Sequence, residues 1–167
     1  STLFKVLAQD RVDPDEMMLH MNNDLFNTKT GGMFVTSILG VYDLITEEVS
    51  WVNGGHLPAL IRDQTGKFEE YESKAPPLGV ILQKNKSIYM TNKKKLNGKR
   101  FYVFTDGLSE SLDEKNKELG IVGAKGIINR NFNSVVKVEL TNISKEVVDK
   151  SRKKILSDDL TIVTIGK

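Results

Sequence analysis

The chain has 167 residues, which is enough for one domain of ordinary size with a buried core. Hydrophobic residues make up 39% and charged residues 28%, a balance typical of globular rather than disordered proteins. The net charge is only +2 and cysteine is absent, so the composition excludes a strongly basic nucleic-acid-binding protein, disulfides and thiolate metal sites. With only two histidines, any metal centre must depend on carboxylates, which favours magnesium, manganese or calcium.

The apolar segments and the N-terminus carry no membrane or secretion signal. Residues 34–41 form one of the longest apolar stretches and are far shorter than a bilayer span. The N-terminus lacks the charged-then-apolar pattern of a signal peptide. We therefore expect a cytoplasmic protein. Because residue 1 is a serine rather than a methionine, we also expect a piece of a longer protein.

The first half of the chain is predicted to be helical and then to form strands. Apolar spacing predicts the end of a helix over residues 1–10, and Asp13-Pro14 is a typical start of a second helix. The apolar face of that helix is formed by Met17, Met18, Met21 and Leu25. A strand that is apolar on both faces, and therefore internal, is predicted over residues 33–42. Three further strands complete a four-stranded antiparallel meander: 49–53, 57–62 and 68–71.

The second half of the chain mixes strands with helices. Strands are predicted over residues 87–91 and 100–105, helices over 119–130 and 134–153, and a final strand over 160–165. No internal repeat and no low-complexity linker is found. Strands followed by helices and a last strand predict an α+β fold with a mostly antiparallel sheet, in a single domain that covers the whole chain, 1–167.

Aspartates at the ends of two predicted strands are the first candidates for chemistry. Asp106 follows the most apolar strand directly, and Asp158 and Asp159 open the final one. If these strands are antiparallel neighbours, their carboxylates meet at one rim and repel one another unless a cation compensates. A divalent metal with oxygen ligands is the natural partner of such a group. The alternative is that each aspartate only caps a turn, as Asp-Gly after a strand often does.

A glycine–glycine–histidine segment is the second candidate. Gly54 and Gly55 interrupt a predicted strand and allow a backbone or a ligand to come close. His56 then has two roles open to it, binding a phosphate or acting as an acid. The alternative is a bulge with a hydrogen-bonded structural histidine.

A basic segment is the third candidate. Residues 84–100 contain seven basic residues and no acidic one. This pattern is compatible with a patch for nucleic acid or an acidic partner, or with a solvated hairpin. The hairpin is favoured because the segment has a single aromatic residue and so no stacking platform.

Several short motifs follow one another along nearly the whole chain. Residues 105–110 read TDGLSE, which matches the pattern T-D-G-[VL]-x-E. The patterns F-x-T, V-N-[AG]-G-H-x-P, P-L-G, F-G and D-D-x-T have counterparts at residues 34–36, 52–58, 77–79, 119–120 (as Leu-Gly) and 158–161. In this order and at these spacings they resemble the SpoIIE-like branch of the bacterial metal-dependent serine/threonine phosphatases, the PPM family.

The resemblance implies a fold, a reaction and roles for particular residues. The implied fold is an antiparallel β-sandwich flanked by helices (αββα), with its N-terminal strands absent here. The implied reaction is hydrolysis of phosphoserine or phosphothreonine in a protein, with two manganese or magnesium ions. Asp106 and Asp158 would be catalytic metal ligands, and Asp159 an auxiliary ligand. Gly107 would permit the tight turn, and Asn53 with the glycine–histidine segment would be structural or line the cleft.

One motif of the family has no counterpart. The pattern D-x-S-G-H-G, whose aspartate bridges both metals in the family, occurs nowhere in the chain. We therefore expect the C-terminal portion of a phosphatase domain, truncated at its N-terminus and inactive or nearly so as this fragment. The alternative is a degenerate, non-catalytic module of the phosphatase fold that binds a protein partner.

The resemblance also implies partners. The expected substrate is a phosphorylated bacterial regulatory protein, such as an anti-sigma-factor antagonist in signal transduction. A sensor or signalling region on the N-terminal side is expected in the parent protein. Missing strands would leave open sheet edges, from which a homodimer is a further expectation. Nucleic acid is not expected as a partner, and no membrane segment is expected in this chain.

Overall fold

The computed structural model describes residues 13–28, 32–113, 116–150 and 159–166. The helix predicted over residues 1–10 lies outside the described residues, and so does Asp158. The chain divides into two compact units, one formed by residues 1–58 and 71–97 and the other by 59–70 and 98–167. The single-domain assignment over residues 1–167 stays a prediction.

The first unit combines helix α1 (Pro14–Asn27) with a three-stranded sheet. The strands β1 (Ser37–Asp43), β2 (Glu48–Gly54) and β5 (Asn92–Lys95) lie in the order β1-β2-β5, and both pairings are antiparallel. Proline occupies the start of α1 as predicted, although the Asp13 side chain makes no capping hydrogen bond. The apolar face of α1 packs on the sheet, and the core of the unit is formed by Met18, Val52, Ala75, Leu78 and Tyr89.

The second unit contains a four-stranded sheet and three helices. The strands β3 (Ala59–Arg62), β4 (Phe68–Tyr71), β6 (Arg100–Phe104) and β7 (Ile162–Gly166) lie in the order β4-β3-β6-β7, with β3–β6 and β6–β7 antiparallel. The helices are α2 (Asp106–Ser109), α3 (Gly120–Asn131) and α4 (Val136–Lys150). Side chains from β6, α3 and α4 are fully buried, among them Tyr102, Ile127 and Ile143. The prediction of an α+β fold with antiparallel sheets is thereby confirmed.

The first predicted strand is shorter and more peripheral than expected. It begins at Ser37, and among the described residues it is an edge strand with exposed positions rather than an internal one. Residues 33–36 lie outside it because Val35 exchanges backbone hydrogen bonds with Leu78 instead, at 3.0 and 2.7 Å. The backbone hydrogen bonds that Val35 would need for continued pairing with β2 are therefore already used.

The predicted four-stranded meander is wrong, because the chain changes sheet after β2. Strands β1 and β2 belong to one sheet, and β3 and β4 belong to the other. The break falls at residues 55–58, where side-chain hydrogen bonds from Asn53 replace ladder pairing. The strand predicted over residues 87–91 is also wrong. A 3₁₀ turn (Lys86–Ile88) stands there, initiated by the Asn85 side chain, which accepts the Ser87 N–H (3.1 Å), and the strand follows as β5.

Candidate metal centre

The two strands that the candidate aspartates flank are antiparallel neighbours, which is the condition for the two acidic segments to meet at one rim. The register of β6 with β7 ends at the pair Phe104–Ile162. Asp106 begins α2 directly beyond β6, and Asp159 lies three residues before β7. The residues that leave β6 and those that enter β7 therefore meet at one end of this sheet.

The Thr105 side chain joins the two segments beyond the last ladder pair. The Thr105 N–H donates to the Thr161 carbonyl (3.0 Å), and the Thr161 N–H donates to Thr105 Oγ1 (2.9 Å). The same hydroxyl donates to the Asp159 carbonyl (2.8 Å). A threonine hydroxyl can donate one hydrogen bond and also accept, so both functions are used here.

Gly107 brings the two backbones into direct contact. A Cβ atom at this position would lie 2.5 Å from the Asp159 carbonyl oxygen and 2.9 Å from its carbon. Any other residue would force the two segments apart, since real contacts are never so close. Glycine is therefore required here for close approach of the two segments. Its role in the tight turn stays a prediction.

The exposed carboxylates fit part of an oxygen-donor metal site. Asp106 and Asp159 are both exposed, so water and a cation can reach them. Carboxylate oxygens are the ligands that magnesium and manganese prefer. Within the described ranges, no group of three or more histidine, aspartate or glutamate side chains is placed to hold a metal ion. The predicted metal and catalytic roles of Asp106, Asp158 and Asp159 stay predictions.

The glycine–histidine segment of the first unit is a hydrogen-bonded connection between β2 and β3. The Asn53 side chain donates to the Leu57 carbonyl (2.9 Å) and accepts the His56 N–H (2.8 Å). Gly55 has φ +69°, and a Cβ there would lie 2.5 Å from the Pro77 nitrogen. Thr36 Oγ1 and His56 Nδ1 share a hydrogen bond of 3.1 Å. The motifs F-x-T, V-N-[AG]-G-H-x-P and P-L-G therefore meet in this connection. This supports the interpretation that the glycine–histidine segment is structural. A role in a cleft stays a prediction.

Ser73 is a contributor that the sequence analysis missed. Its hydroxyl accepts the Gly55 N–H (2.8 Å) and donates to the Asn53 carbonyl (2.9 Å). A serine in a loop about 20 residues away carries no local signal for this contact. Thr105 belongs to the T-D-G motif, but the motif implies no role for it. Its position directly before an aspartate at a strand end was the available signal.

The basic segment 84–100 is not one continuous solvated surface. The side chains of Lys93, Lys94 and Lys95 are exposed on the edge strand β5, where lysines discourage further strand pairing. Arg100, at the end of the segment, is buried and pairs with Glu139. The hairpin interpretation therefore fails for Arg100.

No helix among the described residues is long and apolar enough to cross a membrane.

Comparison with known proteins gives one family. A family model described as "Stage II sporulation protein E (SpoIIE)" matches residues 1–166. Protein IcfG from Synechocystis is 24% identical over 149 residues, which cover 88% of this chain but only 23% of IcfG.

Solved structures share the fold. The PP2C phosphatase domain of SpoIIE from Bacillus subtilis, solved with a fragment of its regulatory domain, has a TM-score of 0.78 at 18% identity, over 99% of this chain and 48% of that one. RsbX in complex with magnesium has a TM-score of 0.64 at 14% identity, over 98% of this chain and 69% of that one. The two antiparallel sheets with helices therefore match the PPM phosphatase fold.

Proposed function

This chain belongs to the family of stage II sporulation protein E (SpoIIE), and we propose that it hydrolyses phosphoserine or phosphothreonine in a bacterial regulatory protein. It has the fold of the PP2C-like serine phosphatase domains of that family. One observation carries the proposal. The T-D-G segment after β6 lies in backbone contact with the acidic segment before β7, and exposed carboxylates stand on both.

The proposed cofactor is manganese or magnesium, for which a relative solved with magnesium gives support. Asp106 and Asp158 would be the ligands that the T-D-G and D-D-x-T motifs imply. Asp159, across the β6–β7 joint from Asp106, would be an auxiliary ligand. A divalent cation supplies Lewis acidity toward phosphate oxygens and water. The chain's own contribution is to hold its exposed carboxylates where a phosphate group from another protein can approach.

The proposed substrate is a phosphorylated regulator, such as an anti-sigma-factor antagonist. This rests on the family and on the exposure of Asp106 and Asp159, which leaves room for a protein-sized substrate. We further propose that the 167 residues alone have little activity, because the pattern D-x-S-G-H-G is absent from them.

The test is manganese-dependent release of phosphate from a phosphoserine protein. It compares the 167 residues with a version that includes any native sequence preceding Ser1. We expect measurable release from the longer version only, reduced by roughly 100-fold in Asp106→Asn because a metal ligand is lost. If neither version releases phosphate but the chain captures the unphosphorylated regulator, the non-catalytic binding module is the better description.

A further inference from the structure

We propose that Thr105 is a positioning residue whose hydroxyl holds the Asp159 segment beside Asp106 before any cation binds. The inference rests on the proposed function, since it concerns the same carboxylates. It adds a residue whose hydroxyl is engaged with backbone groups of the neighbouring segment. Thr105 acts on the backbone of the segment that carries Asp159.

The hydroxyl takes the place of a backbone group in the β6–β7 ladder. In a regular antiparallel ladder, the two residues of each hydrogen-bonded pair exchange both of their backbone N–H···O hydrogen bonds. Here the Thr105 N–H donates to the Thr161 carbonyl as usual, but the Thr161 N–H donates to Thr105 Oγ1. The Thr105 carbonyl instead accepts the Leu108 N–H (3.1 Å) in the first turn of α2. The side chain thus lets the ladder continue while the backbone starts the helix that carries Asp106.

The Asp159 carbonyl is held from two sides. The Thr105 hydroxyl donates to it at 2.8 Å, and the Cα of Gly107 lies against it so closely that no Cβ would fit. Two independent contacts therefore determine where the segment before β7 runs. Because neighbouring carboxylates repel each other, ordering them in advance lowers the cost of assembling a cation site.

The test uses two substitutions at Thr105 and one matched control. Thr105→Val keeps the shape of the side chain and removes the hydroxyl, whereas Thr105→Ser keeps the hydroxyl. Thr164→Val makes the same change on β7, at a buried hydroxyl that has no hydrogen-bond partner among the described residues. The probes are hydrogen exchange of the Thr161 amide without metal and Mn²⁺-induced broadening of the Asp106 and Asp159 amide signals.

We expect Thr105→Val to speed exchange of the Thr161 amide and to raise the Mn²⁺ concentration for half-maximal broadening by roughly 10- to 100-fold, as loss of an outer-shell partner does. Thr105→Ser and Thr164→Val should behave like the wild type. If Thr105→Val does not fold, Gly107→Ala disturbs the same carbonyl from its other side and should raise that concentration likewise.

Two outcomes would overturn the inference, and they are distinguishable. Wild-type response to Mn²⁺ in Thr105→Val, or in Gly107→Ala if the first variant does not fold, would remove the positioning role and leave the proposed phosphatase site standing. No broadening of either aspartate amide in the wild type at millimolar Mn²⁺ would remove the metal centre itself, and the positioning role with it.

Discussion

Glu139 is a fully buried carboxylate that three donors hold in place. It pairs with the buried guanidinium of Arg100, accepts the Tyr102 hydroxyl (2.7 Å) and accepts the Asn133 N–H (3.2 Å). We expect Glu139→Gln to lower the free energy of unfolding by about 3–5 kcal/mol, because the Arg100 charge is then left buried without a counter-ion. Urea denaturation measures this loss.

The matched control is another ion pair of the same unit. Glu69 pairs with Lys99 at 2.7 Å, and both side chains are about 40% exposed. Water already solvates these charges, so Glu69→Gln should cost less than about 1 kcal/mol. Equal losses of stability in the two variants would contradict the prediction that the buried Arg100–Glu139 pair costs more to break than the exposed Lys99–Glu69 pair.

Two buried tyrosines make stability depend on alkaline pH. Burial raises the pKa of Tyr89 to about 12, and burial together with hydrogen bonding to Glu139 raises the pKa of Tyr102. A raised phenol pKa contributes stability that is present below the unfolded pKa near 10 and lost as pH rises through the folded pKa. The Tyr89 hydroxyl has no hydrogen-bond partner among the described residues.

Tyr89→Phe should therefore leave stability at pH 7 unchanged or slightly higher, since no hydrogen bond is lost. It should also reduce the fall in stability between about pH 10 and pH 12, because one group with a raised pKa is removed. Urea midpoints across this range measure both effects. A variant profile that superimposes on the wild-type profile would contradict this prediction.

At the scale of elements, the connection between β2 and β3 depends on Gly55. This residue has φ +69°, and a Cβ would overlap the Pro77 backbone. We expect Gly55→Ala to lower the free energy of unfolding by more than about 2 kcal/mol, the sum of left-handed strain and overlap. Gly120→Ala is the control, because Gly120 has φ +59° but open space around it, so only the strain of roughly 1–2 kcal/mol remains. Similar losses for both would mean that the Pro77 contact is unimportant.

At the scale of the whole molecule, the proposed metal centre couples cation binding to stability. Any ligand that binds only the folded state stabilises it, by about 2.7 kcal/mol at a hundred times its dissociation constant. We therefore expect millimolar Mn²⁺ to raise the melting temperature and EDTA to reverse the rise. Asp106→Asn should reduce the shift, because one ligand is lost. An unchanged melting temperature in the wild type would count against a formed site.

Local patterns were sufficient for much of the fold and for the position of the candidate site. The Asp13-Pro14 start places α1, and apolar runs place β6 and the two long helices within a few residues. The position of Asp106 just after β6 could also be predicted from the sequence, because a strand followed by Asp-Gly is a local feature. These predictions needed only side-chain periodicity and backbone preferences over a few residues.

Contacts between distant parts of the chain decided the rest. The break in the predicted meander, the burial of Arg100 against Glu139 and the link from Thr105 to Asp159 each depend on which segment lies alongside. A hydroxyl or a guanidinium finds its partner only after the chain has folded, and nothing in its neighbouring residues records that partner. The sequence therefore located the acidic residues, and tertiary packing determined which backbone segments next to them lie in contact.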